Sequence, residues 1–254
     1  MPDWLLPLIV SPFIGSFAAV LIRRLPHERP VAMSRSRCEA CGHVLGPWEM
    51  VPLVSAVMLC MRCRWCGVRI PLMHLAVELA SIAIAVAVTV IAPDTRSIWL
   101  GCALGWTTLT LAWIDWDHLL LPDVLTLPLI LTGLAVTLLF DPESAADHAA
   151  AAGVGYVAFR GIDLAYRRLR GHGGLGQGDA KLLAAAGAWL GLAALPTVVF
   201  TAAVCGLLLA AGMRMAGQTM HRAAMIPFGP PLCVAIWAVW LGFAPMTQLA
   251  EWLV

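Results

Sequence analysis

Long apolar runs separated by short polar breaks make up most of the chain. Runs suited to helical membrane spans fall at residues 4–22, 72–91, 98–114, 123–140, 149–166, 179–192, 196–213 and 230–243. A bilayer-crossing helix needs roughly 20 mainly apolar residues, and most of these runs approach that length. Most breaks are brief, as at 93–97 and 141–147, but residues 23–70 form a polar stretch too long to be a mere connection. The pattern predicts an all-α polytopic membrane protein with about eight transmembrane helices and one extramembrane insertion. It divides the chain into a first transmembrane helix at 1–22, a loop domain at 23–70 and a seven-helix membrane domain at 71–254.

Composition agrees with this class. Hydrophobic residues make up 61% and charged residues 12% of the chain, whereas soluble domains carry about 25% charged residues. A net charge of only +1 gives no general case for nucleic acid as a partner, and membrane lipid is the expected surrounding. The distribution of charge says more than its sum. Eight of the 16 Lys and Arg lie between Arg23 and Arg69. Basic loops stay on the cytoplasmic side, so this loop is expected inside, with both termini periplasmic. The outer loop at 141–147 is acidic and has no Lys or Arg. Residues 4–22, followed at once by Arg23 and Arg24, suit a retained first helix rather than a cleaved signal.

Five of the eight cysteines fall in the basic loop, and Cys102, Cys205 and Cys233 sit singly in apolar segments as small core residues. In the loop, Cys38-x-x-Cys41 and Cys63-x-x-Cys66 are separated by 21 residues. Two such knuckles in a reducing compartment fit a tetrahedral four-thiolate zinc site better than disulfides. Gly42 and Gly67 each follow the second cysteine of a knuckle, which suits a tight turn. Arg37, Arg62 and Arg64 would favour the thiolate form. A closed four-thiolate site leaves no open ligand position, so its expected role is structural. Cys60 reads as a bystander.

Acids in apolar segments are costly and therefore informative. The stretch GLGQGDAKLLAAAGAWL at 174–190 carries Asp179 from a Gly-rich loop into a helix of Ala, Leu and Gly. Two readings stay open for it: a helix N-cap, or a reactive acid given room by Gly176 and Gly178. The stretch IDWDHLLLPDVLTLP at 114–128 brings Asp115, Asp117 and Asp123. Pro122 restarts a helix, so Asp123 is the best N-cap of the three, and Asp117 reads as a solvated loop acid. Asp115, closing a long apolar run, has no easy structural explanation. Glu78 can snorkel or pair with a loop arginine, and Arg160 and Asp163 are spaced for an intrahelical pair. With the basic loop inside, Asp115 and Asp179 reach the same membrane face although 64 positions apart. Two facing carboxyls cannot both ionise easily; one as base and one as acid can hydrolyse an amide. No H-E-x-x-H motif competes for that role.

The order of these pieces resembles the bacterial prepilin peptidases, or type IV leader peptidases, among the G-x-G-D membrane aspartyl proteases. The likeness runs through Gly15-Ser16-Phe17 with Arg24-Leu25-Pro26, SRCEACGHVL at 36–45, VPLVS at 51–55 and RCRWCGVRI at 62–70. It continues through Val77-Glu78, the two acid-bearing stretches and IPFGPPL at 226–232. The resemblance implies an inner-membrane aspartic endopeptidase with catalytic Asp115 and Asp179 and a zinc-binding insertion holding Cys38, Cys41, Cys63 and Cys66. It implies cleavage of prepilin or type II secretion pseudopilin leaders after a glycine at the cytoplasmic face. Many such enzymes also methylate the new N-terminus with S-adenosylmethionine.

Two departures bear on that second activity. Relatives often carry Asn just after the GSF, where this chain has Ala18 and Ala19, and Asn before the loop Val-Pro, where it has Met50. Glu49 could still serve as a polar contact there, and no cofactor-binding residue is assigned. Two readings from other classes compete: a transporter using the acids as a proton relay, and a zinc-bearing scaffold with inert acids.

Overall fold

The computed structural model describes residues 4–31, 35–171, 176–216 and 227–251, with side chains described as far as residue 242. The described residues are nearly all helical and contain no strand; two isolated bridges, Arg37 with Val44 and Arg62 with Arg69, are the only β pairing. The helices are α1 (Leu5–Arg24), α2 (Val54–Met58), α3 (Leu72–Ile91), α4 (Thr95–His118) and α5 (Asp123–Phe140). They continue with α6 (Ala145–Arg170), α7 (Gln177–Leu190), α8 (Leu195–Met215) and α9 (Gly229–Glu251). Leaving aside the one-turn α2, these correspond one for one with the eight apolar runs. Five of them, α1, α3, α4, α5 and α8, are long and apolar enough to cross a membrane by length and composition. The chain forms two compact units, residues 1–110 and 111–254.

In the first unit α1 packs on α3 through small residues. A Cβ on Gly15 would lie 2.4 Å from Ser81 Oγ and 2.7 Å from Glu78 Cα, so only glycine allows this approach. Ser81 Oγ donates to Ser11 O at 2.7 Å, and Trp106 Nε1 donates to Ser81 O at 3.0 Å. Pro12 lies inside α1 and cannot donate to the Leu8 carbonyl. Ser11 Oγ supplies the missing donor at 2.9 Å. Glu78 takes neither role expected of it. It is buried, and its Oε2 accepts from the Leu53 N–H at 2.9 Å, pinning a loop residue held at φ +59°.

In the second unit α7 is the central element. At 14 residues it is about 21 Å long, shorter than a bilayer core. It need not match lipid, because Asp179, Ala180 and every residue from Leu182 to Trp189 is buried by neighbouring helices. Its Ala and Gly content lets those neighbours come close. A Cβ on Gly187 would lie 2.4 Å from Ala151 C, one on Gly155 2.8 Å from Leu183 O, and one on Gly133 2.6 Å from Trp189 Cδ1. Trp189 Nε1 donates to Leu129 O at 2.9 Å, fastening α7 to α5. On α6, Asp163 accepts from Arg160 at 3.2 Å, the expected pair, and from Arg167 at 2.9 Å.

Candidate active site and candidate metal centre

α4 runs one turn further than its apolar stretch predicts, because Asp115, Trp116 and Asp117 do not stop a helix and the break waits for Leu119, at φ +52°, and Pro122. Asp115 therefore sits within the last turns of α4 rather than at a helix–loop junction. It is 6% exposed, and its Oδ2 accepts from the Gly229 N–H at 3.0 Å. Asp179 is 9% exposed and stands at the third position of α7, not at its N-cap. Its carboxyl turns back so that Oδ2 accepts from the N–H of Gly176, the actual N-cap residue, at 3.1 Å. The capping and reactive readings of this acid are thus compatible.

The two carboxyls lie within electrostatic range of each other, and Cys233, buried on α9, lies within range of both. Among the described residues neither acid has an ion-pair partner. The chain just after α4 closes onto the start of α7: a Cβ on Gly178 would lie 2.7 Å from Leu121 Cβ. The other two acids of that stretch stay out of the group. Asp117 is exposed. Asp123 is the first residue of α5 rather than its N-cap, and it pairs with Lys181. Gly173, Gly174, His221, Arg222 and Ile226 lie outside the described residues.

Two residues were not singled out in advance. Gly229 was part of a quoted motif without a role, and Cys233 was read as filler. The available signal was Gly-Pro-Pro opening an apolar helix, a pattern that presets a helix start.

In the first unit the two knuckles fold alike. Cys38 N–H donates to His43 O and Gly42 N–H to Cys38 O; Cys63 N–H donates to Val68 O and Gly67 N–H to Cys63 O. Gly42 and Gly67 close the turns at φ +71° and +69°, where a side chain would be strained. The four Sγ atoms of Cys38, Cys41, Cys63 and Cys66 lie within 4.8 Å of one another, with Cys38 and Cys66 3.8 Å apart. A tetrahedral ion with bonds of about 2.3 Å to sulfur requires sulfur–sulfur separations of about 3.8 Å, so the cluster can hold a metal. The backbone N–H groups of Cys41 and Ala40 pull Cys38 down to about 7. At Cys66 the Val68 N–H pulls the same way, but lost hydration and the three neighbouring thiols push it up to about 11.

Between α1, the loop and α3 lies a cavity of about 1140 Å³ whose wall includes Ser16, Glu49, Met50, His74 and Glu78. Glu49 Oε2 accepts from the Gly46 N–H at 2.7 Å.

Comparison with known proteins bears on both units. The type IV leader peptidase family matches residues 102–211, and the bacterial peptidase A24 N-terminal domain matches residues 9–92. The chain is 36% identical over 257 residues to the prepilin leader peptidase/N-methyltransferase of Aeromonas hydrophila, covering 90% of this chain and 87% of the relative. It is 36% identical over 226 residues to the protein of that name from Dichelobacter nodosus, covering 89% and 77%. The Pseudomonas aeruginosa protein of that name is 32% identical over 260 residues, covering 91% and 87%. No solved structure matches.

Proposed function

The chain belongs to the type IV leader peptidase family, and from that premise we propose that Asp115 and Asp179 are the catalytic pair with which it cuts prepilin leaders. It is a multi-pass membrane peptidase. A transporter using the same acids has no support among its relatives.

One observation carries the assignment of the pair: two buried acids from α4 and α7 lie within electrostatic range of each other, each steadied by one backbone N–H and neither paired with a cation among the described residues. Two such carboxyls share one proton. The ionised one takes a proton from water as the water oxygen adds to the scissile carbonyl. The protonated one polarises that carbonyl. When the C–N bond breaks, the departing amine takes up a proton from the pair, and a new acid and a new amine are left.

The substrate class is a prepilin or type II secretion pseudopilin, cut after the glycine that ends its basic leader. That leader stays at the cytoplasmic face while the adjoining apolar segment lies in the bilayer. With the basic loop cytoplasmic and both termini periplasmic, the pair sits at the inner boundary, where those two parts of the substrate meet. In domain terms, residues 1–22 and 71–254 form the membrane part and 23–70 the cytoplasmic insertion. Its ion is zinc, held by Cys38, Cys41, Cys63 and Cys66 in a structural role, since thiolates in a closed tetrahedral set suit zinc.

S-adenosylmethionine, which supplies a methyl group on a cationic sulfonium, is proposed to occupy the cavity beside α1 and α3. About 1140 Å³ is ample for it, and the wall carries seven arginines beside Glu39, Glu49 and Glu78, so it offers charges of both signs to a ligand that has a cationic sulfonium and a carboxylate. Of the positions that depart from the family, Met50 is in this wall, whereas Ala18 and Ala19 are buried and outside it.

The test uses purified protein and a prepilin-like peptide. Asp115→Asn and Asp179→Asn are each expected to abolish cleavage while the protein still inserts. Undiminished cleavage in either variant removes that residue from the pair. Labelled S-adenosylmethionine in the same reaction is expected to mark the new N-terminus; no transfer leaves a peptidase alone.

A further inference from the structure

We propose that the first turn of α9, through the Gly229 N–H, is the positioning element that fixes the Asp115 carboxyl for reaction. The proposal rests on Asp115 being catalytic and adds a residue 114 positions away to the working parts.

The N-terminus of a helix normally presents four N–H groups without helical partners. In α9 this set is stripped down. Pro230 and Pro231 have no N–H, and Leu232 N–H already donates to Phe228 O at 3.1 Å. Within residues 229–232 that leaves the Gly229 N–H without a helical partner, and it donates to Asp115 Oδ2 at 3.0 Å in a buried setting. The two prolines also preset the backbone of the turn, so the donor is held in place before any substrate arrives.

Gly229 is fitted to the carboxyl as well as bonded to it. A Cβ there would lie 2.4 Å from Asp115 Oδ2, 2.7 Å from Cγ and 3.1 Å from Cβ. Even one methyl group must push the acid aside. One helical turn further on, Cys233 is buried as well. α9 also packs on α7, which carries Asp179. The turn therefore sets the angle at which Asp115 meets its partner. Gly229 has no side chain to react with, so the role proposed for it is positioning.

The test is Gly229→Ala in the full-length protein, assayed on a prepilin-like peptide. Gly242→Ala on the same helix is the control, because among the described residues a Cβ there meets nothing within 4 Å. Displacing a reacting group by about 1 Å costs about 100-fold. Gly229→Ala is expected to lower kcat by that factor with KM within about twofold of wild type, while Gly242→Ala stays at wild-type rate. A Gly229→Ala enzyme with wild-type kcat, or one changed only in KM, overturns the proposal. If that variant fails to fold, an amide-to-ester replacement at position 229 removes the N–H and adds no bulk. The loss expected from one hydrogen bond to a charged group is about 10-fold in kcat, and an unchanged rate overturns the proposal. Asp115→Asn is run alongside. Activity in that variant sinks the catalytic assignment itself, whereas an inactive Asp115→Asn beside a fully active Gly229→Ala sinks only the positioning role.

Discussion

Alanine substitutions at the glycines of α6 and α7 should split in sign, and the structure says which way each goes. Gly153, Gly155 and Gly161 share α6. Among the described residues a Cβ at Gly153 or Gly161 meets nothing within 4 Å, but one at Gly155 would lie 2.8 Å from Leu183 O. On α7, a Cβ at Gly187 would lie 2.4 Å from Ala151 C, 2.5 Å from Ala151 O and 2.6 Å from Ala152 N. Ordinary contact begins at 3.4 Å. The helices must therefore separate by 3.4 − 2.8 = 0.6 Å for Gly155→Ala and by 3.4 − 2.4 = 1.0 Å for Gly187→Ala. In both cases backbone is among the blocking atoms, so no rotamer change relieves the clash. Overpacking of this kind costs about 1–3 kcal/mol, and the helix preference of Ala over Gly returns about 1 kcal/mol. Gly153→Ala and Gly161→Ala should then stabilise the protein by up to about 1 kcal/mol. Gly187→Ala should destabilise it by about 2 kcal/mol net, and Gly155→Ala by less. Graded unfolding in mixed detergent micelles, followed by tryptophan fluorescence, measures all four. If Gly187→Ala proves as stable as Gly153→Ala, close α6–α7 packing is not what seats the central helix.

Two further outcomes test other parts of the fold. Purified protein should carry one metal ion per chain, and joint replacement of Cys38 and Cys63 by Ser should remove it, as elemental analysis would show; wild-type protein that folds normally without metal would refute the site. Asp94 precedes α4 and accepts from the Ser97 N–H at 2.9 Å and the Ser97 hydroxyl at 2.7 Å. Burial works against its charge, but the Ser97 groups outweigh it and hold the carboxyl below its usual value. A group depressed in the folded state stabilises it above the unfolded pKa and loses that contribution as pH falls through the folded one. Asp94→Ala should cost about 1 kcal/mol at neutral pH, with the difference from wild type vanishing as the pH falls well below 4; a gap that persists in strong acid would refute the cap.

What was legible in the chain was the chemistry that has to be local or costly. Asp115 and Asp179 stand out because an acid in an apolar run needs a reason, and the two knuckles because their spacing has few other uses. Long-range partners were not legible. Glu78 ends on the Leu53 N–H because the loop there takes a left-handed φ, which no spacing rule announces. Apolarity marked α7 as one more span, but nothing in its sequence says that protein rather than lipid surrounds it. The helix end after the third run was not legible from apolarity, which stops at residue 114, whereas α4 continues to His118 and the backbone turns only at Leu119.

The glycines beside the acids show why the G-x-G-D spacing has the form it does, and they divide the work differently from a simple clearing of space. Gly176 contributes its N–H to Asp179, and a Cβ there would lie 3.1 Å from the Oδ2 it serves, tight enough to disturb that bond. Gly178 makes no contact with the carboxyl among its nearest neighbours; it lets Leu121, from the chain leaving α4, close onto the first turn of α7. One glycine therefore orients Asp179, and the other brings in the segment that follows Asp115. Gly229 performs the first of these services for Asp115 from α9. Each acid is thus held by a backbone N–H at a helix start, from a glycine whose missing side chain leaves the carboxyl room. The backbone donor cannot swing away as a side chain would, and it brings no titratable group of its own. A pair that must exchange one proton between its members gains from exactly such partners: a lysine or arginine in their place would hold both acids charged and leave neither able to donate.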